Sequence, residues 1–83
     1  MTYTITGQEQ VGGNSINVTV NYTLNDGSVQ NGIVVAMFNP QSQQDIINNI
    51  IARGQSIQNE ANSILAVTNL MNSLNLIGIT GNI

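Results

Sequence analysis

The sequence contains no cysteine and no histidine, and only one of its 83 residues, Arg53, is basic. Without cysteine the chain can form neither a disulfide nor a thiolate metal site. Without histidine it lacks the side chain that most often performs general acid–base catalysis. A single positive charge is also too few to bind the phosphates of a nucleic acid or an anionic membrane surface. These absences argue against a nucleic-acid-binding protein, a membrane-surface protein and most classes of enzyme.

The four acidic residues are separated along the chain, and each has a structural explanation. Glu9 is predicted to lie in a loop, Asp26 in a turn, Asp45 at a helix cap and Glu60 on a helix face. No two of them are expected to form a catalytic carboxylate pair, and a serine or threonine nucleophile would have no base to activate it. Isolated carboxylates are also too few for a metal site. We therefore expect no enzymatic activity, no cofactor and no metal.

Charged residues make up 6% of the chain, against about 25% in ordinary soluble proteins. Asparagine and glutamine instead occupy 22 positions. Neutral amides suit a protein packed at high local density, where like charges would repel one another, although codon drift in an AT-rich genome would give the same composition. The first residues lack the basic and apolar regions of a signal peptide. Residues 64–79, the most apolar stretch, include five polar side chains, so we expect no membrane span.

Apolar and polar residues alternate in the first half of the chain, which is typical of strands with one buried face. The clearest apolar set comprises Ile16, Val18, Val20, Tyr22 and Leu24. Turn sequences rich in glycine and asparagine follow at 12–14 and 25–28. A third strand over 29–38 is predicted to place Val29, Ile33, Val35 and Met37 on one face and Val34, Ala36 and Phe38 on the other. A strand end that is apolar on both faces must contact something beyond its own sheet.

The second half of the chain has helical periodicity. Pro40 ends the sheet, Ser42 is a favourable N-cap, and Asp45 follows at the capping-box spacing. Apolar residues then recur every three or four positions. Gly54 costs about 1 kcal/mol in a helix interior, so the pattern allows one continuous helix, a helix kinked at Gly54, or two helices. The period continues beyond Gln55 without a turn cluster, which favours one helix or a shallow kink.

The sequence thus predicts an α+β fold with a three-stranded antiparallel β-meander over 1–39, an amphipathic helix over 40–77 and an apolar tail over 78–83. Such a helix would be roughly 45–50 Å long, which exceeds the length of a strand of five to ten residues. Its C-terminal half would extend past the sheet with its apolar stripe uncovered. We therefore predict a homo-oligomer or a docked subunit. The predicted interface comprises Ile57, Ile64, Val67, Met71, Leu74, Ile77 and Ile79.

Two smaller questions stay open at the level of sequence. The apolar tail would be satisfied as a strand added to a neighbouring subunit or by folding back on the helix. Arg53 could pair with Glu60 or with another acid of a neighbour, or it could simply be solvated.

The strand at 15–24, the turn at 25–28 and the phenylalanine-asparagine-proline break at 38–42 before a helix resemble small virion proteins of tailed bacteriophages. The resemblance covers about residues 3–50 and carries no functional residues with it. It implies a capsid decoration protein or a tail or fibre accessory protein, assembled in the host cytoplasm and located in the virion. The partners would be copies of the chain and/or larger virion proteins. The alternative is a small phage-encoded protein that inhibits or regulates a host protein.

Overall fold

The computed structural model describes residues 1–83, which form three strands and one helix. Strands β1 (Thr2–Val11), β2 (Ser15–Thr23) and β3 (Val29–Phe38) form one antiparallel sheet in the order β1-β2-β3. Helix α1 (Gln43–Ser73) follows the last strand. The predicted α+β fold, a β-meander followed by a long helix, is confirmed.

The core lies between one face of the sheet and the first half of α1. Strand β2 is central, and its alternating apolar residues face the helix as predicted. Ile50 and Ile57 cover them from the helix. The buried core comprises Val18, Val20, Tyr22, Leu24, Val35, Met37, Ile50 and Ile57. The core is therefore confined to the part of the molecule where helix and sheet overlap.

A β-bulge in β3 corrects one detail of the predicted strand pattern. Val20 pairs with Ile33 but Tyr22 pairs with Gln30, so β3 contains one additional residue in this interval. Gly32 adopts a φ of 69° there, and its N–H donates to Asn21 Oδ1 at 2.9 Å. The extra residue reverses the alternation, because successive strand residues point to opposite faces. The prediction that Val29 shares a face with Ile33 is therefore wrong: Val29 lies opposite Thr23 on the outer face.

The start of α1 has the predicted cap. Ser42 Oγ accepts the N–H of Asp45 at 3.1 Å, which satisfies one of the free donors of the first turn. The Asp45 carboxylate accepts the N–H of Gln41 at 3.0 Å, one residue before the position that a capping box would use. The helix then continues through Gly54 without interruption to Ser73.

The helix ends four residues before the predicted boundary at 77. Ser73 Oγ donates to the carbonyl of Leu70 at 2.8 Å, and the N–H of Leu74 donates to Met71 O at 3.2 Å. These short-range bonds satisfy carbonyls at the end of the helix in place of further helical turns. Leu74 is already extended, with φ −84° and ψ 142°. A separate turn follows at Gly78, where φ is 90°.

A close contact at Gly54 fixes α1 against the sheet. Tyr22 is fully buried, and its hydroxyl donates to the carbonyl of Ile50 at 2.6 Å. A Cβ on Gly54 would lie 2.8 Å from Tyr22 Cε1, so only glycine lets the ring approach the helix this closely. Further along, the N–H of Asn25 donates to Gln58 Oε1 at 2.9 Å. The middle of α1 is thereby anchored at the β2–β3 hairpin end of the sheet.

Candidate functional site

The C-terminal part of the chain projects beyond the sheet. Ala61 is the last residue that packs, partly buried, against the core. All 22 residues from 62 to 83 are exposed. We call residues 62–74 the overhang and residues 75–83 the tail. None of these residues belongs to the core or packs against it.

The dimensions of the molecule show how incomplete its packing is. The radius of gyration is 18.9 Å and the principal extents are 60 × 32 × 18 Å, whereas a compact domain of this length has a radius of gyration of about 12 Å. The accessible surface is 6235 Å², against about 4,800 Å² for a folded monomer of 8.8 kDa. The surplus is therefore about 1,400 Å².

The structure divides the seven predicted interface residues into two groups. Ile57 is only 9% exposed and belongs to the chain's own core, because α1 still lies over the sheet at that point. It is therefore not available to a partner. The other six are exposed: Ile64, Val67, Met71, Leu74, Ile77 and Ile79.

The exposed residues of the overhang form a regular stripe. Ile64, Val67, Met71 and Leu74 follow one another at spacings of three, four and three, which places them on one helix face. Leu70 borders this stripe, whereas Leu65 lies about 100° around the helix from Ile64, towards Asn69; both leucines are exposed. The predicted interface omitted both leucines. The position of Leu70, three residues after Val67 and four before Leu74, was the signal that would have included it.

The overhang and the tail contain no charged side chain. Burying this surface would therefore not require the desolvation of an ion, which is the main electrostatic cost of forming an interface. An uncharged surface also does not repel an identical copy of itself. Its chemistry is that of an apolar packing surface with asparagine, serine and threonine between the apolar residues.

The acidic residues and the clefts are the features of the remaining surface that bear on metal binding and catalysis. Nowhere do three acidic residues come close enough to hold a metal ion. A shallow cleft of about 560 Å³ lies near the β1–β2 turn. Its only ionisable side chain is that of Glu9. Its other polar side chains are neutral amides and one hydroxyl: Gln8, Gln10, Asn14, Ser15 and Asn39.

The outer face of β3 carries a second exposed apolar group. Val34 and Phe38 are 54% and 75% exposed, and they lie on the face away from α1, as predicted.

Arg53 is exposed, and its positive charge partly offsets the burial that raises the pKa of the nearby Tyr22 hydroxyl.

Comparisons with protein families, with characterised proteins and with solved structures found no match to this chain. No helix of the structure combines the length and the apolar character needed to cross a bilayer.

Proposed function

We propose that this protein is a structural subunit of a phage particle, a capsid decoration protein or a tail or fibre accessory protein. It acts by packing against copies of itself and/or larger virion proteins. The surplus of about 1,400 Å² of exposed surface, together with the exposure and lack of charge of the overhang and the tail, is the observation that carries this proposal. The phage setting follows from the resemblance of residues 3–50 to small virion proteins.

The size of the surplus supports an obligate rather than an occasional contact. A stable protein–protein interface buries about 800 Å² on each partner, so the surplus is enough for one such interface and most of another. Soluble monomers seldom expose a continuous apolar patch of more than a few hundred Å². A chain with two or more neighbours would cover this surface completely.

The composition supports many copies at high density. Only five side chains are charged, and the polar positions are mainly asparagine and glutamine. Repeated copies of a strongly charged chain would accumulate repulsion, whereas amide side chains hydrogen-bond equally well to solvent and to a neighbour. The low charge and the uncovered helix therefore point to the same kind of role.

The oligomeric state tests the proposal directly. Mass photometry and sedimentation velocity from nanomolar to micromolar concentration should show species larger than a monomer. Ile64→Asp and Met71→Asp place a charge in the stripe and should yield monomers with unchanged far-ultraviolet circular dichroism. Asn69→Asp adds the same charge to the opposite face of the overhang and should leave the assembly intact.

A wild-type protein that is monomeric throughout this range would contradict self-assembly. Such a monomer, if its overhang stripe bound a host protein, would support the alternative of a phage-encoded inhibitor, because an apolar helix face also fits a groove on another protein. Mass spectrometry of gradient-purified particles from the phage that encodes the chain tests the virion location. Absence of the protein from those particles would refute that location.

A further inference from the structure

We infer that the open edge of β3 accepts the tail of a second copy as an additional strand. The inference rests on the proposed function and identifies which two segments of neighbouring copies join. It concerns surfaces distinct from the overhang stripe.

The free edge of β3 lacks the usual protection of a sheet edge. β3 pairs only with β2, so the backbone groups along its other side are free. Residues 33–38 are six consecutive apolar residues without a charge or a proline. Natural sheets protect exposed edges with charged residues, prolines or bulges, and the one bulge of β3, at Gly32, lies before this stretch. An unprotected apolar edge is a template for a further strand.

The other edge of the sheet is different. β1 has a bulge between Ile5 and Gly7, followed by the polar and charged residues Gln8, Glu9 and Gln10. Both features discourage the addition of a strand. β3 is therefore the edge that favours an acceptor role.

The tail has the properties of the strand to be added. The chain leaves α1 in an extended conformation at Leu74, and the tail has a single backbone hydrogen bond, from Ile79 N–H to Leu76 O. Ile77 and Ile79 are 97% and 69% exposed, so the alternative that the tail folds back on the helix does not occur. In an extended strand these two isoleucines would point to one face, with Gly78 and Thr80 on the other.

The tail cannot reach residues 33–38 on the β3 edge of its own chain. Gln58 is fixed beside Asn25 at the hairpin end of the sheet, and Leu74 lies 16 helical residues further away, about 24 Å. Ile33 lies in the opposite direction, at least four strand residues or about 13 Å from that end. The nine residues of the tail span at most about 31 Å when fully extended, less than the roughly 37 Å required. The acceptor must therefore be another molecule.

This mode of joining has a consequence for the assembly. Donor and acceptor are different surfaces at opposite ends of a molecule 60 Å long. Each copy would therefore donate to the next in a head-to-tail contact, which produces a ring where the rotation closes and a filament where it does not.

Crosslinking between introduced cysteines tests the inference, and no other thiol competes for the crosslinker because the chain has no cysteine of its own. A mixture of Val34→Cys and Ile79→Cys proteins, treated with a short bis-maleimide, should give a covalent heterodimer. A mixture of Thr4→Cys and Ile79→Cys, which places the cysteine on the β1 edge instead, should not. The double variant with both Val34→Cys and Ile79→Cys should crosslink between molecules and not within one.

A charge on the acceptor edge provides a second measurement. Val34→Lys should raise the dissociation constant of the assembly at least about tenfold, since a charge replaces an apolar contact at the edge. Thr4→Lys, the matched change on β1, should leave it unchanged. Both positions are exposed, so both variants should fold.

The outcomes separate this inference from the proposed function. Crosslinking through Thr4→Cys, an intramolecular crosslink in the double variant, or disruption by Thr4→Lys alone would overturn the assignment to β3. In another outcome, the assembly persists with Val34→Lys and with the double variant Ile77→Asp and Ile79→Asp, but dissociates with Ile64→Asp. That result would overturn the inference and leave the proposed function standing. A wild type that never assembles would overturn both.

Discussion

Replacing Gly54 with alanine tests how closely α1 lies on the sheet. In an exposed helix the change would stabilise the protein by about 1 kcal/mol, because alanine has the higher helix propensity. In this structure the added Cβ would lie 2.8 Å from Tyr22 Cε1 and 3.0 Å from Met1 Cε. The methionine methyl group is the end of a flexible side chain and can move aside, so the tyrosine ring decides the outcome.

The ring of Tyr22 is restrained against moving away from an added Cβ. It is fully buried, and its hydroxyl is bonded to Ile50 O at 2.6 Å. Overpacking of this kind costs about 1–3 kcal/mol, and relief by breaking the hydroxyl bond would itself cost about 1 kcal/mol. Because this overpacking cost exceeds the gain in helix propensity, we expect Gly54→Ala to lower the free energy of unfolding by about 1 kcal/mol. That is a large share of the stability of so small a domain.

Urea denaturation followed by circular dichroism, repeated at several protein concentrations, measures the effect. Asn59→Ala is the matched control: this exposed helical residue should give the propensity gain alone, about 0.5 kcal/mol. In the double variant with Tyr22→Phe the ring is no longer tied to Ile50, so Gly54→Ala should cost less. A Gly54→Ala protein about 1 kcal/mol more stable than wild type would refute the close contact.

Three further predictions concern individual hydrogen-bonding side chains, and each is measurable by urea titration. Tyr22→Phe should lower the free energy of unfolding by about 1 kcal/mol. Because burial raises the pKa of Tyr22, the wild type should also lose stability as the pH rises above about 10. Tyr22→Phe should abolish this alkaline loss, and a loss of the same size in the variant would contradict its assignment to Tyr22. Ser42→Ala should cost about 1 kcal/mol by freeing the N–H of Asp45, whereas an unchanged midpoint would show that the cap is dispensable. Hydrogen bonds from Ser28 lower the pKa of Asp26, so the contribution of Asp26 should be present above pH 3.8 and fade below it. Asp26→Asn should remove that acid dependence, and an identical pH profile in the variant would count against it.

The elements of this fold follow from local patterns. The strict alternation of β2 from Ile16 to Leu24 determines both a strand and its buried face, because only a period of two keeps five apolar residues on one side. The turn at Gly27 and the cap at Ser42 each depend on residues within four positions of one another, and both are confirmed by a positive φ of 87° at Gly27 and a bond to Ser42 Oγ. Interactions of such short range leave a direct trace in the sequence.

The details that the sequence did not yield depend on contacts between distant segments. The bulge at Gly32 requires a partner strand, and it is the Asn21 side chain across the ladder that accepts its N–H. From the sequence, Gly54 is interpreted only as a place where the helix could kink or break, whereas in the structure it allows the close approach of the Tyr22 ring. Gly54 and Ala61 do lie on the same helix face as Ile50 and Ile57, and two small residues on an apolar face are the signal for such an approach.

The existence of an uncovered helical segment could be predicted from the sequence, because it follows from comparing the length of the helix with the length of the strands. A helix of 31 residues extends about 46 Å, while strands of nine or ten residues extend about 30 Å. Part of the helix must therefore lie beyond any sheet that this chain can build. Where the overhang begins was not predictable, since it depends on the pairing of Asn25 with Gln58, and for that reason Ile57 was assigned to the interface instead of the core.

The small size of the core gives a physical reason for association between copies. Only nine of the 83 residues are buried, and the chain has no cysteine with which to form the disulfides that commonly stabilise small domains. Under the proposed function, burial against a neighbouring copy would add apolar stabilisation, and the overhang, the tail and the β3 edge are the exposed surfaces on which it would occur. Because binding that favours only the folded state adds to its stability, the surfaces that join copies would also stabilise each subunit. Folding and assembly of this protein would then be two readouts of the same contacts.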